Sequence, residues 1–481
     1  MNGWRLEHSY STLPALFYSR VRPTPVTAPR LVVFNRPLAR TLGLDDDALA
    51  GVEGANVFSG NVLPAGAMPL AQAYAGHQFG HFAILGDGRA ILLGEQRTPD
   101  RGLVDIQLKG PGPTPYSRRG DGRAALGPML REYIISEAQH ALGIPTSRSL
   151  AVVVTGEPVI RERALPGAVL TRVAASHLRV GTFEWAAAHR DHAALAALAD
   201  YTAARHYPET LGSGHPRLEL LRAIARRQAS LIARWQTVGF IHGVMNTDNM
   251  ALSGETIDYG PCAFMDAYHP ATRFSSIDQQ GRYAYGNQPA IAQWNIARLA
   301  EAMLPLLDSD EERAVTLAGE VVEEFAGEFD TRLRDGMRAK LGLVTDDAED
   351  GSLVADLLTW MERQKADFTN TFCALATADV RTPLWHDESF RLWHARWSAR
   401  LQRQPQTIEA AQVVMRRHNP AVIPRNHRVE EALEAAERGD LGPLQQLLDA
   451  LAAPFDHTRD VSAFAEPPPP SSAGYRTFCG T

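Results

Sequence analysis

The hydrophobic pattern of this chain changes period near residue 185, and that change limits the folds open to it. Before it, apolar and polar residues alternate, as in Val104, Ile106 and Leu108 against Asp105, Gln107 and Lys109. After it, apolar residues recur at helical spacing over long alanine- and leucine-rich stretches. Strand patterns followed by helical ones describe an α+β fold, here two lobes with a ligand cleft expected between them. The boundaries read as a wrapping segment over 1–65, a β-rich lobe over 66–185, a helical lobe over 186–455 and a flexible tail over 456–481.

Composition matters for what it excludes. With 45% apolar residues, 21% charged residues and 3 cysteines, the chain is neither disordered nor stapled by disulfides, and a reducing compartment suits it. A net charge of -7 offers phosphate backbones no general attraction, so nucleic acid is not an expected partner and any anion site must be local. No apolar run reaches the roughly 18 residues that span a bilayer, and the opening residues lack a basic-then-apolar leader pattern. A cytoplasmic protein with no membrane partner is expected.

In the β-rich lobe, apolar runs at 82–85 and 90–93 flank Gly86-Asp87-Gly88-Arg89, and the Asp-Gly pair predicts a hairpin turning there. A third strand over 104–109 sets Lys109 opposite the core face. A helix over 128–142, stopped by Gly143, carries Glu132, and strands follow over 149–154 and 168–173. Helices are then expected over 193–205, 218–236 with Gly239 as terminator, 289–306, 311–341, 352–376 and 388–403. His77 and His81 have the spacing of a helical metal pair, but the glycines beside both argue against a helix and so against zinc.

The stretch FIHGVMNTDN over 240–249 carries the most chemistry. Against the protein-kinase catalytic loop H-R-D-x-x-x-x-N, His242 and Asn249 fall on the His and Asn positions, while Val244 stands where the aspartate belongs. Valine can neither accept a proton nor orient a hydroxyl, so ordinary kinase chemistry is in doubt. A Ser253-Gly254 turn folds the chain back towards Asp258-Tyr259-Gly260, which fills the place of D-F-G. Asn249 and Asp258 then offer an amide oxygen and a carboxylate, the donors that Mg²⁺ takes when phosphates complete its shell. Lys109 and Glu132 match the kinase strand lysine and its helical partner, and Gly86 to Arg89 take the place of the glycine-rich loop. Arg118, Arg119, Asp121, Gly122 and Arg123 form a second glycine- and arginine-rich stretch, with Arg172 and Arg179 as further clamps for phosphate oxygens.

Four long blocks, at 69–95, 105–133, 239–250 and 258–268, together resemble the selenoprotein O family, with the similarity running essentially the full length. That resemblance implies a bilobal, protein-kinase-like fold that binds ATP in reversed orientation and adenylylates Ser, Thr or Tyr hydroxyls of proteins. It also implies Mg²⁺ or Mn²⁺ as the metal, with UTP as a second donor in bacterial members. Carried across by matching motifs, Gly86, Gly88, Arg89, Lys109, Asp121, Gly122, Arg172, Arg179 and Asp258 contact nucleotide, Asn249 and Asp258 hold metal, and Asp248 is the proton acceptor. With the ordinary aspartate pKa of about 3.9, Asp248 is expected to be ionised at neutral pH, which leaves positioning the hydroxyl as open a role as taking its proton. Some family members carry selenocysteine third from the C-terminus; here Cys479 stands there, and a redox latch to Cys262 is a hypothesis. The competing expectation, prompted by Val244, is a catalytically inactive nucleotide-binding pseudokinase acting as a scaffold.

Overall fold

The computed structural model describes residues 2–377, 383–469 and 475–477. Its largest sheet is antiparallel and nine-stranded, ordered β2-β4-β7-β8-β11-β10-β3 with β1 on β7 and β9 on β11. The strands are β1 (Leu6–Glu7), β2 (Tyr18–Arg20), β3 (Arg30–Phe34), β4 (Leu70–Gln72), β7 (Ala90–Arg97), β8 (Leu103–Lys109), β9 (Ala124–Ala125), β10 (Arg148–Ile160) and β11 (Ala164–Ala174). A separate hairpin of β5 (Ala75–Gln78) and β6 (His81–Ile84) lies between β4 and β7.

Two layers use the two faces of the sheet. Helices α1 (Arg36–Thr41) and α2 (Val52–Ser59) contribute Leu38, Val57 and Phe58 to one, against Ile106, Leu108, Val153 and Val169. Helix α3 (Leu126–Ala141) packs on the other, where Leu92, Val152 and Leu170 join the core shared with the helical half. Paired residues on antiparallel strands share a face. Leu170 pairs with Lys109, Arg172 with Gln107 and Ala174 with Asp105. The inner face therefore collects Lys109, Gln107 and Arg172 in one patch, as the alternation in the sequence requires for Lys109.

The helical half comprises α4 (Val180–Ala188), α5 (His192–His206), α6 (Pro216–Val238), α7 (Gln288–Leu307), α8 (Glu311–Lys340), α9 (Asp350–Gln364) and α10 (Phe368–Thr377). It continues with α11 (Glu388–Gln402), α12 (Ile408–His418), α13 (Asn426–Glu437) and α14 (Gly442–Leu451), followed by the single-turn α15 (Ser462–Ala465). Gly239, left-handed at φ 72°, caps α6 and turns the chain into β12 (Phe240–Ile241), which pairs with β13 (Ala263–Phe264). The loop between these two short strands holds the residues of the catalytic-loop motif. No helix among the described residues is long and apolar enough to cross a membrane.

Two expectations fail. The runs at 82–85 and 90–93 do not pair across Asp87-Gly88; they belong to different sheets. Leu85 N–H donates to the Tyr74 carbonyl (3.0 Å) and Asp87 N–H to that of Gln72 (2.8 Å), so the chain entering the Asp-Gly pair still runs beside 72–74. Asp87 is buried and takes Gln72 N–H and Gln107 Nε2 on one oxygen, both at 3.1 Å, partners no local turn supplies. The tight turn sits earlier, at Phe79-Gly80, where φ values of 52° and 87° make the type I′ geometry of a two-residue hairpin. The single helix expected over 352–376 is two, α9 and α10, broken at Lys365 with φ 52°.

A lysine in the left-handed region carries a steric penalty that glycine lacks. Lys365→Gly is expected to stabilise the fold by about 1 kcal/mol in urea unfolding, and an equal or lower midpoint would count against that strain.

Candidate active site

The β12–β13 loop meets the inner face of the sheet in a cleft of about 850 Å³. Local anchors fix the loop. The His242 ring is buried and stacked on Trp235 with centroids 5.4 Å apart, and its Nε2 donates to the Ile257 carbonyl at 2.9 Å. Gly243 has φ 79°, and a Cβ there would lie 2.5 Å from the Pro261 carbonyl oxygen, so no larger residue fits. Asn295 on α7 donates to the Met245 carbonyl (3.0 Å). The chain then doubles back through a Met250–Thr256 bridge, as the Ser253-Gly254 turn predicts, and both Asn249 and Asp258 line the cleft.

Asp258 gathers the charged side chains. Its Oδ1 accepts from Lys109 Nζ (3.3 Å) and from the Arg172 guanidinium, and its Oδ2 from Arg179 Nη1 (3.1 Å). Glu132 on α3 bonds both Lys109 Nζ (2.7 Å) and Arg172. Burial alone would raise the Asp258 pKa, but Arg172, Lys109 and Arg179 overturn it and hold the carboxyl well below the usual range. Burial and the Arg172 charge lower the Lys109 ammonium, against the opposing pull of Glu132 and Asp258. Asp258 itself is left-handed at φ 58°, a conformation that costs a non-glycine residue about 1–2 kcal/mol and that its cationic partners hold in place.

Asp248 sits in the opposite environment. It lies in the turn Thr247–Asn249 with its carboxylate packed against Gly76 of β5, where a Cβ would come within 2.4 Å of Oδ1. That Oδ1 is buried and has no hydrogen-bond partner among the described residues. Burial pushes the Asp248 carboxyl up to about 7, with Arg179 opposing and the Asp258 and Glu184 charges adding to the rise. The expectation of a fully ionised Asp248 at neutral pH is therefore corrected: desolvation, invisible in the sequence, sets it near half-protonation. Val244 lines the same cleft.

Gly86, Gly88, Arg89, Asp121 and Gly122 also line the cleft, together with Lys109, Arg172 and Arg179. Packing against neighbouring loops accounts for two of the glycines: a Cβ at Gly86 would meet the Tyr116 ring at 2.5 Å, and one at Gly122 (φ 65°) the Gly112 carbonyl oxygen at 2.1 Å. Asp121, half exposed on the rim, takes Arg161 through two bonds of 2.8 and 3.1 Å.

Several further residues shape the site through contacts that the sequence motifs do not announce. Asp87 lies 3.7 Å from Arg179 Nη2, whose guanidinium stacks on Tyr74 at 4.4 Å. Asn246 Oδ1 accepts from Tyr283 Oη (2.6 Å) and Phe79 N–H (3.0 Å). Thr247 Oγ1 donates to Glu184 (2.6 Å) and accepts from His77 N–H (2.7 Å). The glycine-flanked His77 was visible as an oddity; Glu184, on an almost wholly buried helix, gave no signal.

The donors available to a metal fit a hard cation. Asn249 Nδ2 is committed to the Val244 carbonyl (3.0 Å), which leaves Oδ1 as its free acceptor. Asp258 is kept ionised, and a carboxylate offers about four lone-pair sites against three cationic donors. Among the described residues no group of three or more His, Cys, Asp or Glu gathers around a metal position, so an ion there would need oxygens from substrate and water, as Mg²⁺ prefers. Cys262 is buried, with its thiol pushed up to about 12 by burial; Cys479 lies outside the described residues. Thr477, nearby in the tail, donates its hydroxyl to the Pro261 carbonyl at 2.8 Å.

The family model for protein adenylyltransferase SelO matches residues 3–452. The chain belongs to the SelO family. Among its relatives are proteins named protein nucleotidyltransferase YdiU from Halalkalibacterium halodurans, 60% identical, and Alkaliphilus metalliredigens, 58% identical; each comparison covers 100% of this chain and 98% of the relative. A third, from Geobacillus kaustophilus, is 59% identical over 100% of this chain and 99% of its own length. This SelO-family chain is thus an enzyme, a protein nucleotidyltransferase, and the scaffold alternative gives way.

Two outcomes test the electrostatics. Glu132→Ala leaves buried Lys109 and Arg172 with Asp258 as their one remaining shared carboxylate and is expected to cost about 3–5 kcal/mol in unfolding stability, whereas Asp121→Ala on the rim should cost about 1 kcal/mol or less. Because the folded Asp248 binds its proton more tightly than the unfolded chain, its ionisation costs stability as pH rises from about 4 through about 7. Asp248→Asn should therefore stabilise the protein at pH 8 by on the order of 2–4 kcal/mol and much less at pH 4; equal gains at both would contradict the raised pKa.

Proposed function

We propose that the protein transfers AMP from ATP to Ser, Thr or Tyr hydroxyls of other proteins, with UMP from UTP as a second donor reaction. The observation that carries this reading is the pair of aspartates in one cleft, Asp258 held ionised among cations and Asp248 poised near neutrality. Groups whose environments push their pKa values apart divide naturally into a charge holder and a proton acceptor.

In this mechanism the acceptor hydroxyl gives its proton to Asp248 as its oxygen attacks the α-phosphorus, and pyrophosphate leaves in line. Lys109, Arg172 and Arg179 neutralise the phosphate oxygens, and their mutual bonding through Asp258 and Glu132 holds them ready before substrate arrives. Asn249 and Asp258 would hold Mg²⁺ or Mn²⁺, which when bound supplies charge to the leaving pyrophosphate. Arg89, Gly88 and the 117–123 loop lie along the same cleft and would contact nucleotide. The fold reading that accompanies this is a kinase-like pair of lobes, 66–185 and 186–455, with nucleotide between them.

Incubation with Mg²⁺ and ATP labelled on the α- or the γ-phosphate tests the reading. α-Label is expected on acceptor protein, and γ-label there would overturn it. The rate should rise roughly tenfold per pH unit below about 7 and level off above. Asp248→Asn should lower it by about 10²–10⁴ and flatten that profile, while Lys109→Ala and Asp258→Ala should abolish transfer.

A further inference from the structure

The outer edge of β6 is open, and it lies one strand away from the loop that carries Asp248. In the β5–β6 hairpin Gln78 pairs with His81, His77 with Phe82, Gly76 with Ala83 and Ala75 with Ile84. A two-residue turn makes Gln78–His81 a hydrogen-bonded pair, and the Leu85 N–H bond to the Tyr74 carbonyl keeps that parity at the far end. His77–Phe82 and Ala75–Ile84 are therefore the non-bonded pairs, and the N–H and C=O groups of Phe82 and Ile84 point away from β5. No other strand among the described residues pairs with β6. Phe82 and Ile84 are 47% and 60% exposed, an apolar pair where edge strands ordinarily carry charge or proline.

The inner strand is fastened to the catalytic loop. His77 N–H is bonded to Thr247 and Phe79 N–H to Asn246, while Asp248 packs against Gly76. Beside the hairpin tip, Arg282 approaches Gly80 and stacks on Trp294 at 4.9 Å. A protein nucleotidyltransferase must bring a polypeptide acceptor to this place, and β6 offers the ladder and the apolar face that an extended chain needs.

We propose that β6 docks an extended segment of the acceptor protein by strand addition, with apolar side chains over Phe82 and Ile84 and an acidic residue towards Arg282. This rests on the nucleotidyl-transfer reading above. The added strand would lie two strand spacings, about 10 Å, from β5, so it holds residues flanking the acceptor hydroxyl. About three further extended residues span that gap around the tip to Asp248.

The test uses the full chain, α-labelled ATP with Mg²⁺, and reduced carboxymethylated α-lactalbumin as an unfolded acceptor. Phe82→Pro removes an edge N–H without touching the β5 ladder, and Ile84→Asp places charge on the docking face. Each is expected to lower labelling at least tenfold while ATP affinity and thermal midpoint stay at wild-type values, and Ile84→Val should label normally. Wild-type labelling by both Phe82→Pro and Ile84→Asp would overturn the proposal, as would a wild type that labels proteins of a cell extract but not the unfolded chain. Should Phe82→Pro fail to fold, Ile84→Asp decides. Transfer by the wild type to no protein at all would sink the nucleotidyl-transfer reading, and the docking proposal with it.

Discussion

The structure of the site depends on one carboxylate. Asp258 accepts from Lys109, Arg172 and Arg179, which come from two adjacent strands of the sheet and from the start of α4. Without that anion, three buried positive charges would face one another across the cleft, a costly arrangement in a low-dielectric setting. With it, and with Glu132 behind, the cations are held in fixed positions by the protein's own carboxylates.

Ten residues earlier in the chain, the same residue type meets different physics. Asp248 has a glycine against its side chain and a buried oxygen without a donor. Arg179 joins the two: its Nη1 donates both to the Asp248 backbone carbonyl and to the Asp258 carboxylate, each at 3.1 Å. The two aspartates are thus positioned by a single guanidinium, although their titrations are driven in opposite directions.

Much of this was legible beforehand. Alternation over 104–109 puts Lys109 on the face opposite Ile106 and Leu108, although that face is also packed and buries Lys109, and the motif spacing of His242, Val244, Asn249 and Asp258 sets their order around a short reversal, because both signals are local. The Asp87-Gly88 pair signals a hairpin that does not form, because the decisive partners of Asp87 are Gln72 and Gln107, contacts that only the assembled sheet provides. The Lys365 break escaped notice for a related reason: a lysine carries no mark of the left-handed region. The raised pKa of Asp248 is likewise a product of burial, and no residue near it in sequence announces that. The roles of His77, Asn246 and Glu184 come from the hairpin and the loop meeting, and neither segment alone implies the other.

The register between β8 and β11 has a consequence for how such a chain can vary. Side chains alternate across the sheet, so gaining or losing one residue inside 103–109 would swing the amine of Lys109 into the oily layer beneath α1 and α2 and carry Leu108 into the polar cleft. The connecting residues 98–102, held by their own turn bonds, have no such obligation. Length changes in relatives should therefore accumulate in that connection and avoid the strand, a constraint on insertions and deletions imposed by nothing more than the pleat.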